Sequence, residues 1–222
     1  QGAGDLAVLG GANRIAVRAA DGDWEIVQYR QAELIEADVW RLSGLLRGLG
    51  GSEAQSTAGA LAGARVVWLD PALRAVVMSE TERGLPLKVR SAPAGGPPLP
   101  AVCGDAEVTW GGVSRRPWSP VHLKAAWGLE SSRVFSWIRR TRIGGDGWDQ
   151  EPPLGEDSER YQVRILADGI EVAVYETGVA SFVWSAAEQD ACLSGLSPET
   201  VCISVRQGSA IWGWGAAATL NI

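Results

Sequence analysis

Short stretches in which hydrophobic and polar residues alternate recur along the whole chain. In the second half of the sequence they lie at residues 121–125, 135–137, 161–165, 172–174, 182–184, 201–205 and 217–220. Alternation with a period of two is typical of β-strands that have one buried and one exposed face. Seven such strands with turn signals between them predict a β-sandwich for residues 111–222.

The first half of the chain is predicted to be mainly antiparallel β-structure with one short helix. Strands are expected at residues 13–19, 24–35, 39–42, 65–69, 74–78 and 85–90. Glycines at positions 44, 48, 50 and 51 are expected to interrupt the pattern. The uniformly apolar run at 65–69 has the composition of a strand covered on both faces. Alanine-rich residues follow Ser52, a residue type that favours the N-cap, and they predict a helix at 52–61.

A stretch rich in proline separates the two halves. Residues 91–100 contain four prolines and two glycines, which is typical of a stiff linker. Residues 106–110 are expected to form a short extended segment after it. We therefore predict an all-β protein with two domains: a mainly antiparallel β-domain at 1–110 and a β-sandwich at 111–222.

Composition and charge exclude several classes of protein. Hydrophobic residues make up 46% of the chain and charged residues 21%, as in globular rather than disordered proteins. The formal net charge of -6 argues against nucleic acid as a partner, because phosphate binding needs a positive field. No apolar run approaches the ~20 residues that span a bilayer, so we expect no membrane insertion. The sequence begins with Gln1 rather than Met, and we expect it to be the end of a longer protein.

Residue types needed for catalysis or metal binding are scarce. The single histidine, His122, has no Gly-x-Ser-x-Gly nucleophile motif to act with. The carboxylates between residues 151 and 159 lie in a loop rich in proline and glycine, which favours a solvated acidic loop over a catalytic pair. Three cysteines cannot all pair, and there is neither a Cys/His cluster for zinc nor the spacing of a calcium loop. We therefore expect no catalytic residue, no metal and no cofactor.

The content of tryptophan is unusual, with 11 Trp against 2 Phe and 3 Tyr. Tryptophan stacks well on sugar rings and on arginine. A glycine-rich loop after the strand of Trp137 presents Arg140, Arg142 and Trp148. Two alternatives stay open: a surface that binds a ligand, or a self-supporting loop in which arginines stack on Trp148 or fork onto carboxylates such as Glu156.

A second aromatic feature is Trp212-Gly213-Trp214 near the end of the chain. If all three residues belong to one strand, alternation places both rings on the same face. The pair would then either form a platform for a sugar or another chain, or seal the end of the sandwich.

The order of landmark residues in the second half resembles that of fibronectin type III domains. Pro120 precedes the first strand, Trp137 lies in the second and Tyr161 opens the third. Residues 196–200, Leu-Ser-Pro-Glu-Thr, stand where such domains carry a Leu-x-Pro-x-Thr turn. The family expects a tyrosine near position 202, where this chain has Cys202. The resemblance therefore implies a divergent fibronectin type III-like β-sandwich.

Two blocks of sequence resemble the C-terminal region of host-specificity proteins from the tail tip of gene transfer agents and long-tailed phages. The first block has Trp-Ser-Pro-Val-His-Leu at 118–123, the Trp-Ile-Arg-Arg-Thr-Arg-Ile-Gly-Gly-Asp run at 137–146, and Pro-Leu-Gly-Glu at 153–156. The second has Leu-Leu-Arg-Gly at 45–48 and Gly-Ser-Glu at 51–53, where the family usually shows Gly-Thr-Glu.

This resemblance implies a non-enzymatic component of a tail tip or baseplate, assembled in the bacterial cytoplasm and carried in the particle tail. Its partners would be other tail proteins, further copies of itself in a homotrimer, and an envelope glycan of the host cell. Candidate contact residues are Arg140, Arg142, Trp148, Trp212 and Trp214. One alternative is an accessory β-sandwich of a secreted carbohydrate-active enzyme, and another is a spacer without a ligand.

Overall fold

The chain folds into two compact units. The structure, a computed structural model, describes residues 2–92, 95, 103–145, 149 and 151–222. Gln1–Arg47 and Ala60–Val113 form the first unit, and Gly48–Gly59 and Ser114–Ile222 form the second. The sequence pattern gave no sign that residues 48–59 join the second unit. The domain bounds 1–110 and 111–222 stay a prediction.

The first unit contains a four-stranded sheet and a separate two-stranded hairpin. The sheet has the strand order β3-β2-β1-β4, and β1 pairs antiparallel with both of its neighbours. The hairpin pairs β5 with β6. The elements are α1 (Asp5–Leu9), β1 (Arg14–Arg18), β2 (Trp24–Glu36), β3 (Val39–Leu49), β4 (Val66–Trp68), β5 (Pro86–Ser91) and β6 (Gly104–Thr109).

The core of the first unit is small and is supplemented by buried polar contacts. Ile15, Val27 and Tyr29 form its buried cluster. The side-chain amide of Gln28 donates to the carbonyl oxygens of Val8 and Ala12, at 2.6 and 2.7 Å, and so joins α1 to β2. These bonds satisfy an amide that would otherwise be costly to bury.

Several sequence-based expectations for the first unit are wrong in detail. β3 does not end at the glycines but continues to Leu49, and Gly44 and Gly48 have positive φ angles within it. The run at 65–69 forms a three-residue edge strand in which Trp68 is 49% exposed, so it is not covered on both faces. Residues 74–78 form no strand, and α1 was not predicted.

The second unit is a β-sandwich of seven antiparallel strands. One sheet has the order β11-β8-β7 and the other β10-β9-β12-β13. This is the fibronectin type III-like sandwich predicted from the sequence. The elements of this unit are α2 (Glu53–Ala58), β7 (Val121–Trp127), β8 (Arg133–Ile138), β9 (Tyr161–Ala167), β10 (Ile170–Thr177), β11 (Ser181–Trp184), α3 (Ala186–Leu193), β12 (Val201–Ser209) and β13 (Gly213–Asn221).

An aromatic and aliphatic core lies between the two sheets. Trp137 packs edge-on against Tyr161, with ring centroids 5.1 Å apart. Burial raises the pKa of Tyr161, whose hydroxyl donates to Glu159 over 2.8 Å. The other buried members of the cluster are Phe135, Val163, Ile165, Trp184, Ile203 and Val205. Trp137, Tyr161, Ile203 and Val205 therefore point into the core from their strands.

The helices of the second unit are short. The predicted helix at 52–61 is present as α2 but is confined to Glu53–Ala58. Ser52 does not cap it, since its hydroxyl donates backwards to the carbonyl oxygen of Leu49. α3 was not predicted from the sequence, and it begins with a capping box formed by Ser185 and Glu188.

A close backbone approach requires glycine at position 215. A Cβ there would lie 2.8 Å from the carbonyl carbon of Pro117 and overlap its oxygen. We expect Gly215→Ala to lower the free energy of unfolding in urea by about 1–3 kcal/mol, the usual cost of overpacking. Gly178→Ala is the control, because its Cβ would meet the oxygen of Glu159 at an ordinary 3.5 Å. Equal stability of both variants would show that the Pro117 backbone is not fixed.

Hydrogen bonds at the turn between β9 and β10 are expected to make the stability of the fold depend on pH. The Asp168 carboxylate accepts hydrogen bonds from the backbone N–H of Thr200 (2.9 Å) and Glu199 (3.3 Å), and these lower the pKa of Asp168. A carboxyl group whose pKa is lower in the folded state stabilises the fold above its unfolded pKa, and the contribution is lost as pH falls through the folded value. We expect Asp168→Asn to melt below wild type at pH 7, with a gap that closes below about pH 4. Asp38→Asn is the control for the exchange of Asp for Asn at a positive φ angle, because Asp38 has one as well. A gap that does not change with pH would contradict this account.

Candidate functional site

Two arginines stack on a tryptophan on the outer face of the β10-β9-β12-β13 sheet in the second unit. The guanidinium carbon of Arg160 lies 4.5 Å from the centroid of the Trp214 ring, and that of Arg206 lies 5.4 Å from it. We call Arg160, Trp214 and Arg206 the Trp214 stack. Cation–π contacts of this kind stabilise by about 0.5–1 kcal/mol each at exposed sites.

Strand pairing explains why these residues meet. Tyr161 and Val163 point into the core, so Gln162 lies on the opposite, outward face of β9. Arg206 pairs with Gln162 across β9 and β12. Gly208 pairs with Trp214 across β12 and β13, and a Cβ at 208 would lie 2.7 Å from the ring. The stack therefore needs glycine at 208.

Neighbouring side chains neutralise the arginines unequally. Arg160 forks onto Glu176 at 3.1 and 3.3 Å, and Arg164 bonds Glu171. Arg206 instead donates twice, at 3.0 and 2.6 Å, to the uncharged side-chain oxygen of Gln162. Burial and the positive charge of Arg164 lower the pKa of Arg206. Arg206 is thus held in place without a carboxylate partner among the described residues.

Trp212 does not share a strand with Trp214. β13 begins at Gly213, which has a φ of +77°, and Trp212 lies in the preceding turn. The condition for both rings to lie on one face by alternation, that they share a strand, is therefore not met. The backbone N–H of Trp212 donates to the hydroxyl of Ser209 over 3.3 Å, and its side chain is half-buried.

The arginines of the loop after β8 are bonded within the protein. Arg142 bonds Glu156 from two nitrogens, and the two side chains are 12% and 5% exposed. Arg139 donates to the carbonyl oxygen of Pro153 (3.0 Å) and to the exposed carboxylate of Glu151 (3.3 Å). This geometry favours the self-supporting loop for Arg142. Trp148 lies outside the described residues.

Arg140 connects three separate parts of the sequence. Its Nη2 donates to Glu53 at the start of α2 over 2.6 Å, and its Nε donates to the carbonyl oxygen of Ser119 over 2.7 Å. Its guanidinium carbon lies 5.3 Å from the centroid of the Trp118 ring. Arg140 therefore holds residues 48–59 to the sandwich and is about one-third exposed.

His122 is exposed, lies at an irregularity of β7 and has a φ of +52°. Within residues 2–92, 95, 103–145, 149 and 151–222, no group of three or more His, Cys, Asp or Glu side chains is placed to hold a metal ion. The described helices are all too short or too polar to cross a bilayer.

Sequence reasoning singled out Trp214 and Arg140 but missed their partners. Arg160, Arg206 and Gln162 are dispersed in sequence and meet only through strand register. The one usable signal was the outward position of Gln162 and Arg206 next to core residues of the predicted strands. Glu53 belongs to the block at 51–53, but nothing in the sequence predicted its contact with Arg140, which spans 87 residues.

Comparison with known protein families gives one match. Residues 1–67 match the model of a family described as Rcc01698-like, C-terminal. The match includes the blocks at 45–48 and 51–53 and covers less than half of the chain. No curated protein matches the sequence.

Solved structures with similar folds contain fibronectin-type domains. Domains d3-d4 of the rat CD45 extracellular region are 10% identical, with 86% of this chain and 93% of that chain covered and a TM-score of 0.34. The FN5 domain of Drosophila Lar is 19% identical, with 47% and 95% covered and a TM-score of 0.27. The FN1-FN3 domains of chicken CNTN1 are 14% identical, with 95% and 56% covered and a TM-score of 0.31. These likenesses are distant. The assignment of the fold rests on the order of the strands in the two sheets of the sandwich.

The ion pair of Arg142 and Glu156 is expected to be structural. Glu156→Gln would leave a buried guanidinium without its counter-charge, so we expect a loss of about 3 kcal/mol in the free energy of unfolding. Glu151→Gln is the matched control, since that carboxylate is 88% exposed and its loss should change stability by less than about 1 kcal/mol. Chemical denaturation measures both. A negligible effect of Glu156→Gln would mean that Arg142 is free for a ligand.

Proposed function

We propose that this chain is a non-enzymatic component of the tail tip or baseplate of a gene transfer agent or phage tail, and that it supports recognition of the host cell surface. It acts in the particle tail, with other tail proteins and further copies of itself as neighbours. The bound molecule on the host is an envelope glycan.

The observation that carries this proposal is the contact of Arg140 with Glu53. The tail-tip resemblance rests on two blocks of sequence that lie far apart in the chain. Glu53 belongs to one block, and Arg140 and Trp118 belong to the other. Residues that carry one resemblance and form one bonded cluster are better explained by a common structural requirement than by chance. The family match over residues 1–67 includes the block that contains Glu53.

The distribution of exposed hydrophobic residues supports contact with neighbouring subunits. In the first unit, Trp40, Leu34 and Leu45 are 50%, 55% and 46% exposed. In the second unit, the outer face of the three-stranded sheet exposes Ile138 (57%) and Val183 (55%). Apolar surface of this kind is typical of permanent interfaces, and a homotrimer in the particle would cover it.

Location in the particle can be tested directly. Antibodies raised against this chain are applied to particles purified from the bacterium that encodes it, and gold labels are located by electron microscopy. We expect labels at one end of the tail. Recovery of the protein only in the secreted fraction, together with a carbohydrate-active enzyme, would support the alternative and overturn the proposal.

Recognition is tested by binding of the fluorescently labelled chain to whole cells and to isolated envelope polysaccharide. We expect saturable binding, weakened about tenfold or more by Trp148→Ala, because a tryptophan that anchors a contact often contributes more than 1.4 kcal/mol. Trp127→Ala is the matched control: Trp127 is 69% exposed and contacts Arg133. A large loss of melting temperature in Trp148→Ala would instead make that residue structural. Absence of binding to any envelope preparation would overturn the recognition role and favour a purely structural role in the tail.

A further inference from the structure

The outer face of the β10-β9-β12-β13 sheet carries a cluster of arginines in a chain whose formal net charge is -6. Three arginines, Arg160, Arg164 and Arg206, lie there with two glutamates, Glu176 and Glu171, each of which is bonded to one arginine. The Asp157 carboxylate also interacts with the charge of Arg160. Among the described residues, the charge of Arg206 is therefore the one in this cluster that no bonded carboxylate matches.

The unmatched charge is localised on Arg206. Its Nε and Nη2 both donate to the neutral oxygen of Gln162, and among the described residues no carboxylate lies within ion-pair distance. Arg164 repels it, and Glu171 attracts it only through space. A planar guanidinium forks readily onto a carboxylate, so an anion placed beside Arg206 would relieve this repulsion.

The surroundings of Arg206 favour a polar, hydroxyl-rich ligand over a protein surface. Register places the exposed Thr219 opposite Ser204, which is buried, and the next outward pair, Cys202 and Asn221, brings an exposed amide to the same face. Val174, 45% exposed, is the one strongly exposed large hydrophobic residue on the described part of this face. Protein interfaces have apolar, charge-depleted cores, which the opposite sheet of the sandwich resembles and this one does not.

The Trp214 ring is not a free platform for a sugar. Two guanidinium groups lie over it and Gly208 packs against it. Recognition at this face therefore depends on charge and hydrogen bonds, with Trp214 keeping Arg206 in position.

We propose that the outer face of β10-β9-β12-β13 binds a carboxylate of an acidic polysaccharide, with Arg206 as the principal contact and Arg164 beside it. A singly charged carboxylate matches the one guanidinium that has no bonded carboxylate of its own. This inference rests on the proposed function, since it names the chemical class of the envelope glycan.

The test is calorimetric titration of the whole chain with oligogalacturonate at low salt. We expect saturable binding that weakens with added salt and falls about tenfold or more in Arg206→Gln, because hydrogen bonds to charged groups are among the strongest. Arg206→Lys keeps the positive charge and should lose less affinity than Arg206→Gln. Arg90→Gln, on the β5–β6 hairpin and paired with Asp105, removes the same charge elsewhere and should leave affinity unchanged.

Methyl-esterified oligogalacturonate is the ligand control, and it should not bind. Equal binding of the ester, unchanged affinity in Arg206→Gln, or equally tight binding of polyglutamate would each overturn the proposal. If Arg206→Gln melts far below wild type, Arg164→Gln replaces it and should reduce affinity several-fold; unchanged affinity in that variant would also overturn the proposal.

The two proposals fail differently. Saturable binding to cells that Arg206→Gln leaves unchanged would overturn this site and keep the proposed function. Binding of oligogalacturonate through Arg206 without any binding to cells would keep this site and overturn host recognition.

Discussion

The period of two in β9 and β12 is the constraint on which the rest of the second unit depends. Tyr161, Val163, Ile203 and Val205 must all face the core, and none of the four is exposed. Their burial fixes which side chains face outward, because shifting either strand by one residue would exchange the two faces. The outward positions of Gln162 and Arg206 thus follow from the packing of Trp137 on Tyr161.

Arginine has two different uses in this protein. Arg140 and Arg142 are bonded to carboxylates 87 and 14 residues away, and they fix the irregular segments around the sandwich. Breaking the buried pair of Arg142 and Glu156 is costly, because the remaining charge has no partner. Arg164 and Arg206 lie instead on regular strands, where their positions are set by the core. The loop arginines therefore stabilise the fold, while Arg206 is the one that we propose for recognition.

The sequence predicts the strands and their inward residues well, because alternation is a local signal. All seven sandwich strands were predictable in this way. Contacts between distant residues were not, as the pairing of Glu53 with Arg140 illustrates. α3 was missed because its eight residues contain too few hydrophobic positions to show a helical period, although Ser185 and Glu188 mark its start. The end of β2 and most of β3 are exposed, and no local pattern predicts that.

The Trp214 stack changes what kind of ligand this sheet can recognise. A free tryptophan would bind neutral sugars by stacking, but here the ring contacts two arginines. An exposed arginine side chain carries about 2 kcal/mol of rotamer entropy, which a ligand must offset when it immobilises the group. Trp214 and Gln162 already restrain Arg206 in the free protein, so most of this rotamer entropy is lost when the chain folds and not when a ligand binds. Preorganisation of this kind favours binding of a single, well-placed anion over a loose attraction to negative charge in general.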